Sequence, residues 1–180
     1  MECSRRDLFR GLVTPGFWLK DRARIPLPYT ADRVALRTVC LECKESRGEE
    51  EPGCLTACPE EVVRLDDAGV PHLDFSARGC TFCEDCAEAC GPSALEVAVG
   101  PVIDADIVLD QETCLAWNGT MCVSCADRCR DRAIVFQGLW TPTIDDEACT
   151  RCGQCVSACP TDAIRITART DRGTSKGERA

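Results

Sequence analysis

The stretch Cys149-Thr150-Arg151-Cys152-Gly153-Gln154-Cys155-Val156-Ser157-Ala158-Cys159-Pro160 sets four thiols at the spacing C-x2-C-x2-C-x3-C-P. Three thiolates on so tight a loop can hold three corners of one 4Fe-4S cube, while the fourth, a helical turn on, reaches a neighbouring cube. Disulfides show no preference for such evenly stepped thiols, and zinc takes four ligands, usually as two separated CxxC pairs. The motif therefore predicts iron-sulfur chemistry.

The pattern repeats along the chain. A Cys-x3-Cys step followed by a small-apolar, apolar, any, apolar run occurs four times. Cys54 and Cys58 precede Val62-Val63-Arg64-Leu65, and Cys86 and Cys90 precede Ala94-Leu95-Glu96-Val97. Cys125 and Cys129 precede Ala133-Ile134-Val135-Phe136, and Cys155 and Cys159 precede Ala163-Ile164-Arg165-Ile166. Each unit reads as a cluster-binding loop, a short helix carrying the i and i+4 cysteines, and a short strand. Further strands are expected over 71–75, 107–110 and 143–145.

Four quartets result: Cys40, Cys43, Cys54, Cys58; Cys80, Cys83, Cys86, Cys90; Cys114, Cys122, Cys125, Cys129; and Cys149, Cys152, Cys155, Cys159. They use sixteen of the 17 cysteines, and the remaining Cys3 reads as an unpaired thiol. If the last cysteine of each motif crosses to the neighbouring cube, four centres follow. The first is held by Cys40, Cys43, Cys54 and Cys90, and the second by Cys80, Cys83, Cys86 and Cys58. The third takes Cys114, Cys122, Cys125 and Cys159, and the fourth Cys149, Cys152, Cys155 and Cys129. Ten residues separate Cys43 from Cys54 and seven separate Cys114 from Cys122; such insertions bulge outward at little entropic cost. The first quartet also splits into CxxC and CxxxC pairs that zinc would accept.

The expected fold is α+β: two tandem two-cluster, bacterial-ferredoxin-like modules with little regular secondary structure, over residues 34–105 and 106–168. A basic segment (1–33) precedes them and a disordered polar tail (169–180) follows. With 17 Cys, 13 Gly, 10 Pro and nine aromatics, the chain cannot rely on a large packed core, so cofactors must supply part of its stability. Small residues at Gly153, Ala57, Ala89 and Ala158 admit backbone close to a cube, and Phe82, Leu115 and Val156 shield one from water. His72, beside a proline in a strand, reads as exposed and not as a ligand, while Trp117 and Trp140 read as core.

A net charge of -9 excludes nucleic acid as a partner, and no run of about 18 apolar residues offers a membrane span. The sequence holds no Gly-rich dinucleotide loop, nucleophile elbow or HExxH, so the chain reads as a non-enzyme without a small-molecule substrate. Ser4-Arg5-Arg6-Asp7-Leu8-Phe9-Arg10 is similar to a twin-arginine export box. The charged Lys20-Asp21-Arg22 falls where an apolar core and cleavage site belong. A cytoplasmic location is therefore expected, with twin-arginine export to the periplasm as the alternative.

Taken together, Ser4-Arg5-Arg6 without an export core, the four quartets and the unit Cys114-Leu115-Ala116-Trp117-x4-Cys122-x2-Cys125-x3-Cys129 resemble the NapF family of ferredoxin-type proteins from periplasmic nitrate reductase operons. The resemblance runs over nearly the whole chain. It implies a cytoplasmic iron-sulfur protein that contacts the catalytic molybdenum subunit of a periplasmic nitrate reductase before export and assists its maturation. The longer first insertion departs from the family's even spacing. Two alternatives stay open beside it: an electron-transfer polyferredoxin subunit of another oxidoreductase complex, and a structural zinc protein.

Overall fold

Asp32 starts the longest helix among the described residues, α1 (Arg33–Arg47), where its carboxylate accepts the N–H groups of Val34 at 2.7 Å and Ala35 at 3.2 Å. Those are two of the donors that a helix start leaves without partners. No Gly or Pro interrupts the segment. Gly48, at φ 69°, ends it, and Lys44 and Arg47 in the last turn suit the negative end of the helix dipole. Leu36, Cys40 and Cys43 recur at i, i+4 and i+7 and so share one face of α1.

The computed structural model describes residues 24–48, 50–91 and 94–169. Within them the other helices are single-turn pieces: α2 (Gly53–Thr56), α3 (Asp85–Glu88), α4 (Ser124–Arg128) and α5 (Gln154–Ala158). Among the described residues six short strands form three antiparallel pairs. β1 (Val63–Leu65) pairs with β2 (Pro71–Leu73), β3 (Ala105–Leu109) with β6 (Ile164–Ala168), and β4 (Ile134–Gln137) with β5 (Thr141–Ile144). The register sets Val63 opposite Leu73, Ile107 opposite Ile166 and Ile134 opposite Ile144, so apolar side chains meet across each pair. The fold is thus a mixture of small helices and strands with little regular structure. Among the described residues no helix is long and apolar enough to cross a membrane.

Several expectations need correction. Residues 1–23, with Cys3 and the arginine box, lie outside the described residues, as do residues 170–180 of the expected tail. The rest of the basic lead-in is core: Ile25, Leu27 and Tyr29 are buried, Ile25 bridges to Leu73, and Thr30 bridges to Leu95. The strand expected at Ala94-Leu95-Glu96-Val97 shrinks to that single bridge and a 3-10 turn at Val97–Val99, because Leu95 alone of these side chains is buried. Arg169, expected to open the tail, instead closes the edge of β3, pairing with Asp106 at 3.1 Å and Asp104 at 3.7 Å. Trp140 is exposed at the β4–β5 turn, whereas Trp117 is half-buried and donates Nε1–H to the Pro142 carbonyl at 3.0 Å. His72 is half-buried, opposite Arg64 in the β1–β2 hairpin, and lies apart from every cysteine recess described below.

Asp66 ties the first half together. Its Oδ1 accepts the Ala68 and Val70 N–H groups at 2.8 Å each, closing the β1–β2 turn, and its Oδ2 meets Arg24 at 2.6 Å and Arg37 of α1 at 3.8 Å. Burial alone would raise this carboxyl, but the Val70 N–H, Arg24, the Ala68 N–H and Arg37 outweigh it and hold it below its usual value. A depressed acid stabilises the fold above its unfolded pKa of about 3.9 and loses that contribution as pH falls through the lower folded value. Asp66→Asn should therefore cost about 1–2 kcal/mol at neutral pH, and in urea melts of the two proteins the gap from the parent should close as pH falls below the ordinary carboxylate range.

Candidate iron-sulfur centres

The repeat places its cysteines by one local device. In each unit the first thiol of the Cys-x3-Cys step enters a one-turn helix and is buried, as Cys54, Cys86, Cys125 and Cys155 show. The second lies just beyond the helix end, where the chain turns away, at Cys58, Cys90, Cys129 and Cys159. Three residues after Cys58, Cys129 and Cys159 the backbone enters the left-handed region, at Glu61 (φ 53°), Arg132 (φ 53°) and Asp162 (φ 52°). The loops of the second and fourth quartets repeat a further pair of left-handed residues, Phe82 and Glu84 in one, Arg151 and Gly153 in the other. Such alternation turns backbone N–H groups inward. Phe82 N–H donates to Cys80 Sγ at 3.4 Å, Ala133 N–H to Cys129 Sγ at 3.3 Å and Ala163 N–H to Cys159 Sγ at 3.2 Å.

The tertiary fold then mixes the quartets. Cys58 enters a recess with Cys80, Cys83 and Cys86. Cys159 faces Cys114, Cys122 and Cys125 across a second. Cys129 joins Cys149, Cys152 and Cys155 in a third. In the first quartet, burial and then Cys90 and Cys43 push the Cys40 thiol up to about 11, and burial followed by Cys90, Cys40 and Cys43 does the same to Cys54. Cys90 is thus the neighbour of the first quartet and Cys58 of the second. The first quartet departs from the expected loop in one respect: Cys40 and Cys43 stand on α1, and the inserted residues carry the chain from its end back to Cys54.

These residues suit a 4Fe-4S cube. All sixteen cysteines of the quartets are free thiols, sulfur is the donor class such a cube requires, and backbone N–H groups already point at three of the sulfurs. Among the described residues no three His, Cys, Asp or Glu side chains gather closely enough to hold a lone metal ion, whereas a structural zinc needs four ligands within about 2.3 Å of one point. Burial first, then neighbouring thiols, pushes Cys86 and Cys155 up to about 12, so loading must release protons. Cys159 goes the other way: burial raises its thiol, but the Thr161 and Ala163 N–H groups and the Thr161 hydroxyl outweigh it.

A family model described as a 4Fe-4S binding domain matches residues 142–165, the segment around the fourth quartet. The ferredoxin-type protein NapF of Escherichia coli (strain K12) is 30% identical over 159 residues, covering 86% of this chain and 91% of that protein. The chain belongs to the NapF family of ferredoxin-type proteins. It is a ferredoxin-type iron-sulfur protein, and its likeness reaches beyond NapF. NapG of the same strain is 28% identical over 160 residues, 76% of this chain and 66% of that protein. The methylamine utilization ferredoxin-type protein MauM of Methylobacillus flagellatus is 32% identical over 139 residues, 64% of this chain and 59% of that one.

Two residues at these centres escape the motif reading of a NapF-type chain. Tyr29 lines the recess of the second quartet and donates its hydroxyl to the Phe82 carbonyl at 3.1 Å. Burial, then the Glu84 charge, pushes its phenol up to about 12. Phe75, also buried, lies against Gly153 of the fourth quartet. The signal was the apolar content of Ile25, Leu27 and Tyr29 between arginines, which the fold buries as an irregular segment with a single bridge at Ile25 and another at Thr30. Phe82 and Leu115 do line the second and third recesses, and Val156 packs between the two halves' cores.

Proposed function

We propose that this NapF-family chain carries four 4Fe-4S centres in two tandem two-centre modules, up to about residue 105 and over 106–168, and moves one electron at a time. The convergence of each crossed cysteine on three from the adjacent quartet carries the reading. When bound, such a centre accepts or releases a single electron with little rearrangement. The chain's part is to hold it. Four thiolates leave no position for a substrate, N–H groups on sulfur favour the more negative state, and Tyr29, Phe82 and Leu115 keep water away. The resemblance extends the proposal to the partner and the place: the catalytic subunit of a periplasmic nitrate reductase, met in the cytoplasm during maturation.

Anaerobic purification with iron and acid-labile sulfide analysis tests the chemistry. About sixteen irons and as many sulfides per chain are expected; zinc without sulfide would overturn the reading. Capture of the immature catalytic subunit by the loaded protein, but not by the chelator-stripped one, is the expected partner result.

A further inference from the structure

The two halves meet through backbone. Cys80 N–H donates to the Cys152 carbonyl at 2.7 Å, and Gln154 Nε2 donates to the Gly79 carbonyl at 3.3 Å. A Cβ on Gly79 would stand 2.4 Å from the Gln154 nitrogen and 2.7 Å from the Cys152 oxygen, closer than real atoms approach. Glycine is therefore what allows a cysteine of the second quartet to lie directly on one of the fourth. From Cys80 Sγ the path runs through Cβ, Cα, N–H and one hydrogen bond to the carbonyl, Cα, Cβ and Sγ of Cys152. Electron tunnelling decays steeply with distance and faster through gaps than through bonds. A short bonded path between sulfurs of two quartets is therefore a favoured route.

We propose that the Gly79-Cys80 contact with Cys152-Gly153-Gln154 is the electron-transfer joint between the halves, and that the quartets stand in the electrical order first, second, fourth, third. The order differs from that of the sequence. Within the halves the packing agrees with it: Cys54 and Cys86 lie in one buried cluster, linking first to second, and Cys125 and Cys155 lie in another, linking third to fourth. One electron leaves a reduced centre on one side as one enters an oxidised centre on the other, with no proton or bond exchanged. A one-electron donor protein must then reach one end, near Cys40 and Cys43, and a one-electron acceptor the other, near Cys114 and Cys122, or the reverse.

This inference rests on the four-centre reading, and one experiment separates the two. Dithionite-reduced parent and Gly79→Ala proteins are compared by iron content and by electron paramagnetic resonance of the interacting centres. Full iron in both, with the magnetic interaction between the halves reduced at least twofold in Gly79→Ala, is the expected result; full iron with unchanged interaction overturns the joint. Should Gly79→Ala lose iron, two double variants decide. Cys43→Ser with Cys122→Ser leaves the second and fourth centres, which should remain coupled. Cys83→Ser with Cys152→Ser leaves the first and third, which should give two independent signals. Equal coupling in the two double variants, the reverse pattern, or failure of the first double variant to retain coupled centres overturns the order. A parent protein short of four centres overturns the underlying reading instead.

Discussion

Replacing Cys58 by alanine is expected to abolish the same iron-sulfur centre as replacing Cys80, and to spare the one served by its sequence neighbour Cys54. In the sequence Cys58 belongs to the first quartet, four residues after Cys54, and a site built from adjacent residues would group the two. The fold separates them. Cys54 sits inside α2, facing Cys40 and Cys43 of α1, while the chain leaves the helix at Ala57 and carries Cys58 into the recess of Cys80, Cys83 and Cys86. Each variant should lose about four of sixteen irons and the same spectral component, with Cys54→Ala and Cys90→Ala removing a different one. Iron counting with electron paramagnetic resonance on reduced single variants reads this directly. If Cys58→Ala and Cys54→Ala deplete one common component, the crossing is wrong. A stability effect comes with it, since each centre ties two units together and its binding energy is folding energy.

Spacing made the thiols legible because iron-sulfur ligation is a local constraint: Cys149, Cys152 and Cys155 must share a loop wherever the rest of the chain goes. The crossing was expected from the way two-cluster ferredoxins share their fourth cysteine, and the recess that brings Cys58 beside Cys80, Cys83 and Cys86 agrees with that expectation. What escaped was whatever depends on contacts far apart in sequence. Arginines around Ile25, Leu27 and Tyr29 gave that stretch the look of a solvated arm, yet Asp66, 42 residues beyond Arg24, neutralises part of that charge and ties the segment to the hairpin. Cys40 and Cys43 read as loop residues by analogy with the fourth quartet, but a capped run free of Gly and Pro made them helical, which two thiols three residues apart tolerate because i and i+3 share a face. The backbone joint at Gly79 left no trace in the motif at all. A glycine preceding Cys80 has many possible reasons, and the one that holds here is the approach of Gln154, 75 residues on.

Gly153 shows how a residue can be singled out correctly for an incomplete reason, and its substitution should be among the most damaging outside the cysteines. The motif reading assigns the glycine to close approach of a cube. Its conformation alone does not demand glycine: the matching residue of the second quartet is Glu84 at φ 71°, against φ 78° at Gly153, so a side chain is tolerated in that turn. The difference lies above the turn. A Cβ on Gly153 would fall 2.4 Å from Cγ and Cδ1 of Phe75, a ring buried in the core of the first half. Gly153→Ala must therefore displace an aromatic ring as well as bear the left-handed conformation, for a combined cost of about 3–4 kcal/mol. Gly119→Ala, at φ 76° with open space around its would-be Cβ, bears the conformational part alone and should cost about 1 kcal/mol. Chemical denaturation of the loaded proteins compares the two, and equal losses would remove Phe75 from the account. Because the displaced ring belongs to the other half, Gly153→Ala should also release iron from the fourth centre before the third. A purely local strain in the loop would leave Phe75→Leu unable to relieve the defect, whereas overlap with the ring predicts that the double variant Gly153→Ala, Phe75→Leu recovers part of the lost stability.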